Sequence, residues 1–142
     1  MKNRKTMSSV MMVVMMLSLF FAANVFAGPA PGISSFRVSH VGSTLGGFWE
    51  NIYSGQYLTA RDHGGAELYV VTEQWGYDAY TVAKMNGVAC SKAMTDFLYV
   101  TYPIVAGFRY YWNCSGQQQG QFTATAYSVN TYTPWNTWIN VK

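Results

Sequence analysis

From residue 36 onward, apolar and polar side chains alternate with a period of two, the pattern of a β-strand that buries one face. In the segment 108–114, Phe, Tyr, Trp and Cys occupy the even positions, whereas Arg, Tyr and Asn occupy the odd positions. Val, Thr, Tyr and Phe, which strands favour, are frequent in such segments. We therefore predict about seven strands, in the segments 36–40, 68–72, 80–83, 97–102, 108–114, 122–127 and 135–141.

Turn signals separate these segments. Asn86-Gly87 is a strong turn dipeptide, and the short polar stretch 115–120, bounded by Gly, predicts a hairpin between strands 108–114 and 121–128. Helical signals are limited to short turns at 91–94 and 50–57. Short strands with regular turns predict an all-β fold with little helix, either an antiparallel β-sandwich or a small barrel.

The first 27 residues have the composition of an export signal. Three basic residues at positions 2, 4 and 5 precede an apolar run over 10–22, and residues 25–27 suit cleavage before Gly28. The run is shorter than the ~20 residues that span a bilayer, which favours cleavage over an uncleaved membrane anchor. We therefore predict a cleaved signal peptide (1–27), an extended lead-in (28–35) and a single β domain (36–142) that is secreted, extracellular or periplasmic.

Cys90 and Cys114 are the two cysteines of the chain. In an oxidising compartment an even number of cysteines is most simply paired, so we predict a disulfide between them. The bridge would close a loop of about 25 residues and contribute ~3.5 kcal/mol by the chain-entropy relation. The alternative is a thiol nucleophile assisted by His40 or His63, for which no local motif is present.

Net charge argues against two classes of partner. Lys and Arg number nine and Asp and Glu six, but three basic residues precede Gly28, so the rest of the chain carries six of each sign (9 − 3 = 6). A neutral domain lacks the electrostatic signature of nucleic-acid or anionic-membrane binding. Its many Trp and Tyr residues also exclude a disordered chain.

Candidate catalytic residues are few. No motif of a serine hydrolase or zinc protease is present, and two His beside a disulfide leave too few ligands for a structural zinc, so no metal or cofactor is expected. His63 could act as a general base with Glu50 or Asp62, and Glu50 could also form a glycosidase pair with Asp62 or Asp78. The alternative for the segment 61–65 is a solvated turn with two glycines. His40 is in phase with Phe36, which predicts a partly buried ring.

Several aromatic residues lie on the polar side of their strands. Trp138 lies between two Asn, Tyr111 lies between Arg109 and Asn113, and Tyr127 follows two Thr in alternation. Aromatic rings on a polar strand face can stack on sugar rings or bind a protein partner. We therefore predict a candidate binding surface of Trp138, Tyr111, Tyr127 and Arg109; the alternative is that other parts of the protein cover these side chains.

Three short segments, 42–50 (GSTLGGFWE), 107–112 (GFRYYW) and 134–137 (PWNT), resemble the YolA-like secreted bacterial proteins, a family of uncharacterised function. The resemblance implies a bacterial source and extracellular release, and it supplies no catalytic residues. The sequence thus favours a secreted, non-enzymatic binding protein that presents an aromatic and polar β surface to a cell-envelope polysaccharide or a protein partner. The alternatives are a small secreted hydrolase that uses His63 with Glu50 or Asp62, and a secreted toxin, bacteriocin or inhibitor.

Overall fold

The computed structural model describes residues 28–47 and 49–142, and the predicted signal peptide lies outside them. The described residues form nine strands and no helix, and accordingly none of their segments is a helix that could cross a membrane. The strands are β1 (Ser35–Ser43), β2 (Glu50–Asn51), β3 (Leu68–Trp75), β4 (Asp78–Met85), β5 (Val88–Ala89), β6 (Ser91–Thr101), β7 (Ile104–Asn113), β8 (Gly120–Ser128) and β9 (Pro134–Val141). All seven predicted strands are confirmed, and β2 and β5 are short additions.

The strands form two antiparallel sheets that pack as a sandwich. The five-stranded sheet has the order β2-β1-β3-β7-β6, and the four-stranded sheet has the order β5-β4-β8-β9. The inner faces of the two sheets meet in an apolar core in which Val41, Val70, Trp112, Phe122 and Ile139 are buried. The predicted all-β sandwich is therefore confirmed.

Several local predictions from the sequence are wrong, among them the helical turn at 50–57, where the chain forms β2 and an irregular loop. Strands β7 and β8 do not form a hairpin, because β7 pairs with β3 and β6 whereas β8 pairs with β4 and β9. The segment between them crosses from one sheet to the other, so that Trp112 and Phe122 both enter the core. Residues 91–94, predicted as a short helical turn, belong to β6, because they pair along β7. Burial across the sandwich outweighed the local turn signals.

The turn at Asn86-Gly87 is confirmed. Met85 pairs with Val88, which leaves a two-residue loop between β4 and β5. Both loop residues have positive φ, 52° for Asn86 and 81° for Gly87, as the common tight hairpin turn requires.

A β-bulge in β1 reverses the predicted orientation of His40. Val38 pairs with Thr72 and His40 pairs with Val71, so one extra residue, Ser39, lies between these pairs. Because neighbouring residues of β3 point to opposite faces, the bulge turns His40 away from the core side that Val38 occupies. The ring was predicted to be in phase with the core, and the structure places it on the outer face instead.

The disulfide between Cys90 and Cys114 is confirmed. Cys90 lies between β5 of the four-stranded sheet and β6 of the five-stranded sheet, and Cys114 directly follows β7. The bridge therefore fixes the point where the chain crosses between the sheets. Disulfides of this kind are typical of proteins outside the reducing cytoplasm.

Candidate functional site

The outer side of the four-stranded sheet carries three rows of side chains, which the strand register defines. We call this surface the aromatic face. Its rows are Tyr80, Tyr127 and Pro134; Val82, Thr125 and Asn136; and Lys84, Thr123 and Trp138. Along β9, Trp138 of the third row follows Pro134 of the first row by four residues, so these two rows lie about 14 Å apart.

Two pairs of stacked aromatic rings stand at the ends of the aromatic face. The rings of Tyr80 and Tyr127 lie 4.4 Å apart at an interplanar angle of 23°. The rings of Tyr57 and Trp138 lie 4.8 Å apart at 21°. Tyr57 and Trp138 remain 56% and 41% exposed, so the second pair still presents ring surface to solvent.

Backbone hydrogen bonds place Tyr57 beside Trp138. The Asn140 amide N–H donates to the Tyr57 carbonyl oxygen at 2.9 Å, and the Thr59 N–H donates to the Asn140 carbonyl oxygen at 3.0 Å. Leu58 thereby forms a parallel bridge with Asn140 at the free edge of β9. The loop that follows β2 thus places the Tyr57 ring beside Trp138, although Tyr57 belongs to no strand of this sheet.

A groove of about 300 Å³ adjoins this second aromatic pair, where β1 and β9 meet at the edge of the sandwich. The Val38 amide N–H donates to Thr137 Oγ1 at 3.2 Å and joins the two strands there. The loop 52–57 forms one wall of the groove, with Gln56 and Tyr53 contributing polar groups. Arg37 and Asn136 complete the polar lining, and Arg37 is the one charged residue among the described residues that line the groove.

The outer side of the five-stranded sheet, which we call the charged face, has a different composition. Glu73 is buried at its centre and accepts hydrogen bonds from Arg109 Nε at 2.8 Å and from Arg37 Nη2 at 3.1 Å. Nearby, the Tyr111 hydroxyl donates to Asp96 at 2.9 Å. Burial alone would raise the pKa of Glu73, but the hydrogen bonds from Arg109 and Arg37 lower it below its ordinary value.

Trp49 lies over the charged face and contacts two rings edge-on. Its ring centroid is 6.5 Å from that of His40 and 6.0 Å from that of Tyr111. Burial and then the positive charge of Arg109 lower the pKa of His40, because both disfavour an imidazolium at this position. Both effects favour the neutral ring over the protonated ring.

Glu50 and His63 form a buried polar hub beneath the loop that carries Tyr57. Glu50 Oε2 accepts from His63 Nε2 at 3.0 Å, and its carboxylate also accepts from the backbone N–H groups of Ala60 and Arg61 and from Gln56 Nε2. Burial would raise the pKa of Glu50, but these hydrogen bonds, led by those from Ala60 and Arg61, lower it. The Glu50 carboxylate thus holds the two ends of the segment 56–61 together by hydrogen bonds.

The second ring nitrogen of His63 is also in use. Nδ1 lies 3.1 Å from Ser43 Oγ, and the Gly46 N–H donates to the same hydroxyl oxygen at 2.8 Å. A side chain at Gly46 would clash with this contact, since a Cβ there would lie 2.7 Å from His63 Nδ1. The His63 side chain is 0% exposed, so this arrangement acts as an anchor for the loop.

The structure brings some of the predicted site residues together and separates others. His63 and Glu50 meet, whereas Asp62 is exposed and the two ring nitrogens of His63 contact Glu50 and Ser43 instead. The four residues predicted as one binding surface divide between two faces: Trp138 and Tyr127 lie on the aromatic face, and Tyr111 and Arg109 lie on the charged face.

Sequence reasoning missed several contributors to these surfaces, namely Tyr57, Tyr80 and Lys84 on the aromatic face and Arg37 and Glu73 on the charged face. Tyr57 lies in an irregular loop, where no periodicity indicates which way a side chain points. Arg37 and Glu73 do lie in alternating strands, so their common face could have been inferred had the pairing of β1 with β3 been known.

Comparison with known proteins places the chain in a family. No curated protein shows significant similarity to it. Residues 28–141 match the family described as "Domain of unknown function (DUF4879)", a match that includes all but the last of the residues after the predicted signal peptide. The chain therefore belongs to the DUF4879 family.

Proposed function

We propose that this protein is a secreted, non-enzymatic binding protein whose aromatic face holds a cell-envelope polysaccharide. The single observation that carries the proposal is the pair of stacked ring platforms, Tyr80 with Tyr127 and Tyr57 with Trp138, at opposite ends of one sheet surface. An aromatic ring at the surface presents an apolar face to solvent, and the apolar face of a sugar ring can stack on it. The predicted export signal and the YolA-like segments support an extracellular place of action.

The surface between the platforms supplies hydrogen-bonding groups. Thr125 and Asn136 lie in the middle row, between the two platforms, and Thr123 lies beside Trp138 in the third row. The Thr125 hydroxyl donates to Asn136 Oδ1 at 2.7 Å. Hydroxyl and amide groups on a rigid strand can bind the hydroxyl groups of a sugar without large reorganisation. The separation of the platforms, about 14 Å, suits an extended oligosaccharide rather than a single sugar.

The buried hub fits the same proposal as a positioning element. Glu50 accepts hydrogen bonds from Gln56 and Ala60, which flank Tyr57. The hub therefore restrains the loop that presses Tyr57 against Trp138. On this view His63 and Glu50 meet in order to hold a binding residue in place, and no reaction step is assigned to them.

The proposal is tested by a pull-down of the oxidised secreted protein on peptidoglycan, chitin and cellulose, with Trp fluorescence as a second measure of binding. We expect saturable binding to at least one polymer and a loss of tenfold or more in Trp138→Ala and Tyr57→Ala. Tyr111→Ala is the matched control, because Tyr111 is an aromatic residue on the opposite, charged face.

Two results would contradict the proposal. Binding that Tyr111→Ala abolishes and Trp138→Ala leaves intact would move the site to the charged face. No binding to any polysaccharide would favour a protein partner or a toxin, which growth-inhibition assays with the purified protein would then test.

A further inference from the structure

The distribution of charge over the sandwich differs sharply between its two sides. In the strands of the four-stranded sheet the one acidic residue is Asp78, and its carboxylate accepts hydrogen bonds from Gln74, Thr81 and Tyr110. Gln74 and Tyr110 are buried residues of the inner face, so Asp78 is turned away from the aromatic face. The outer side of this sheet therefore presents no carboxylate from its strands.

Two basic residues lie on either side of the Trp138 platform. Lys84 is exposed in the same row as Thr123 and Trp138, two strands away, which is about 10 Å at the usual strand spacing. Among the described residues Lys84 has no ion-pair partner. Beyond Trp138, on the other side, Arg37 lines the groove.

Arg37 retains capacity for a further anion. Its guanidinium donates from Nη1 to the Ile52 carbonyl oxygen and from Nη2 to Glu73, which uses two of its five N–H groups. Arg109 donates to the same carboxylate, and Asp96 lies opposite Arg109 in the neighbouring strand, so Arg109 is engaged by acids while Arg37 keeps three N–H groups for another acceptor. The Arg37 side chain is 45% exposed and Arg37 is among the residues that line the groove, so its remaining N–H groups are open to an anion.

From this arrangement we infer that the ligand of the aromatic face is an acidic polysaccharide, with carboxylate groups that Lys84 and Arg37 bind on either side of the stacked Tyr57 and Trp138. The inference rests on the proposed function, and it adds the chemical class of the ligand. Sugar rings stack on the aromatic platform while acidic substituents on neighbouring sugars reach the two cations. The neutral charge of the domain as a whole hides this local asymmetry.

The test compares acidic polysaccharides with their neutral esters. Polygalacturonate and alginate, each paired with its methyl ester, are titrated into oxidised protein expressed from the full-length chain, at low and at high salt. We expect at least tenfold tighter binding of each acid than of its ester at low salt. We also expect a three- to tenfold loss in Lys84→Gln and in Arg37→Gln, because each removes one cation from the site.

Lys92→Gln is the control for charge, since Lys92 lies in β6 of the other sheet over the Tyr110 ring. It removes the same unit of charge and is expected to leave binding unchanged. Lys84→Gln also guards against a folding artefact, because Lys84 is exposed and, unlike Arg37, makes no contact with Glu73.

The outcomes separate this inference from the proposed function. Equal binding of acid and ester, lost in Trp138→Ala, would overturn the acidic class and keep the polysaccharide site. Equal losses in Lys84→Gln and Lys92→Gln would show attraction by charge alone and overturn the inference. Absence of binding to the acids, to the esters and to the three envelope polymers would overturn both.

Discussion

The two outer faces of the sandwich both carry aromatic and charged residues, but they differ in how these residues are paired. On the charged face the polar groups bind one another: two arginines share Glu73, and Tyr111 donates to Asp96. On the aromatic face the rings stack in pairs, and Lys84 has no ion-pair partner among the described residues. On the charged face the ionised groups thus pair with one another, although Arg37 keeps N–H groups open at the groove, whereas on the aromatic face the rings and Lys84 are open to a ligand.

This contrast shows why exposure of aromatic residues is a poor guide to a binding site by itself. Trp49 is also exposed, yet its ring packs on His40 and Tyr111 above a buried ion cluster. A ring that covers buried polar groups stabilises the fold, because it keeps water from competing for their hydrogen bonds. The stacked rings of the aromatic face lie beside threonines, and among the described residues they cover no buried ion cluster.

Removal of the central carboxylate gives the largest effect. We expect Glu73→Ala to lower the free energy of unfolding by about 2 kcal/mol, because Arg37 and Arg109 lose hydrogen bonds to a charged acceptor and then repel each other. The matched change on the aromatic face, Lys84→Ala, is expected to stay within about 0.5 kcal/mol. Urea unfolding measures both, and equal effects would remove the distinction between the faces.

A double-mutant cycle on the stacked pair sharpens the comparison. Tyr57→Ala, Trp138→Ala and the double variant are expected to give a coupling free energy of about 1 kcal/mol, the range for aromatic pairs. Each ring is partly exposed, so the single losses are expected to be smaller than that of a core aromatic. A coupling free energy near zero in urea unfolding would indicate that Tyr57 does not rest on Trp138 in solution.

Acid is expected to weaken the charged face. The pKa of Glu73 is lowered from an ordinary value of 4.5, so the folded state binds fewer protons there than the unfolded state. Its stabilising contribution is present above about pH 4.5 and is lost as the pH falls through the lowered value. Glu73→Gln should therefore show a smaller loss of unfolding free energy between neutral and acidic pH than the wild type.

Glu50 sets the remaining acid sensitivity in that experiment. Its pKa is lowered in the same direction, so the loss in Glu73→Gln is reduced and does not vanish. If Glu73→Gln showed the same acid dependence as the wild type, the two arginines would not stabilise the ionised form of Glu73 as the geometry indicates.

The smallest effect concerns His40. Burial and the charge of Arg109 lower its pKa from the ordinary 6.5, so the ring is expected to protonate at a lower pH than a free histidine. Titration of the ring signals by NMR measures this directly. In Arg109→Gln the pKa should move back toward 6.5, because the positive charge with the larger effect on the ring is gone; an unchanged value would show that the charge of Arg109 does not contribute.

The sequence by itself determined the class of fold. Alternation with a period of two located most of the seven long strands, because burial of one strand face imposes that period locally, and runs of strand-favouring residues located 68–72 and 97–102. The even cysteine pair indicated the disulfide, and Asn86-Gly87 indicated a tight turn, since both depend on residue chemistry at short range. These features need no knowledge of which strands are neighbours.

The tertiary structure decided everything that depends on strand pairing and on crossing between the sheets. A single bulge residue moved His40 to the opposite face, and the crossing between β7 and β8 separated Tyr111 from Tyr127. The contact of His63 with Glu50, the sharing of Glu73 by two arginines and the stacking of Tyr57 on Trp138 all join residues from different elements. Periodicity assigns each side chain to one of the two sides of its own strand. Which strand lies beside it, and which loop covers it, depends on how the whole chain buries its core.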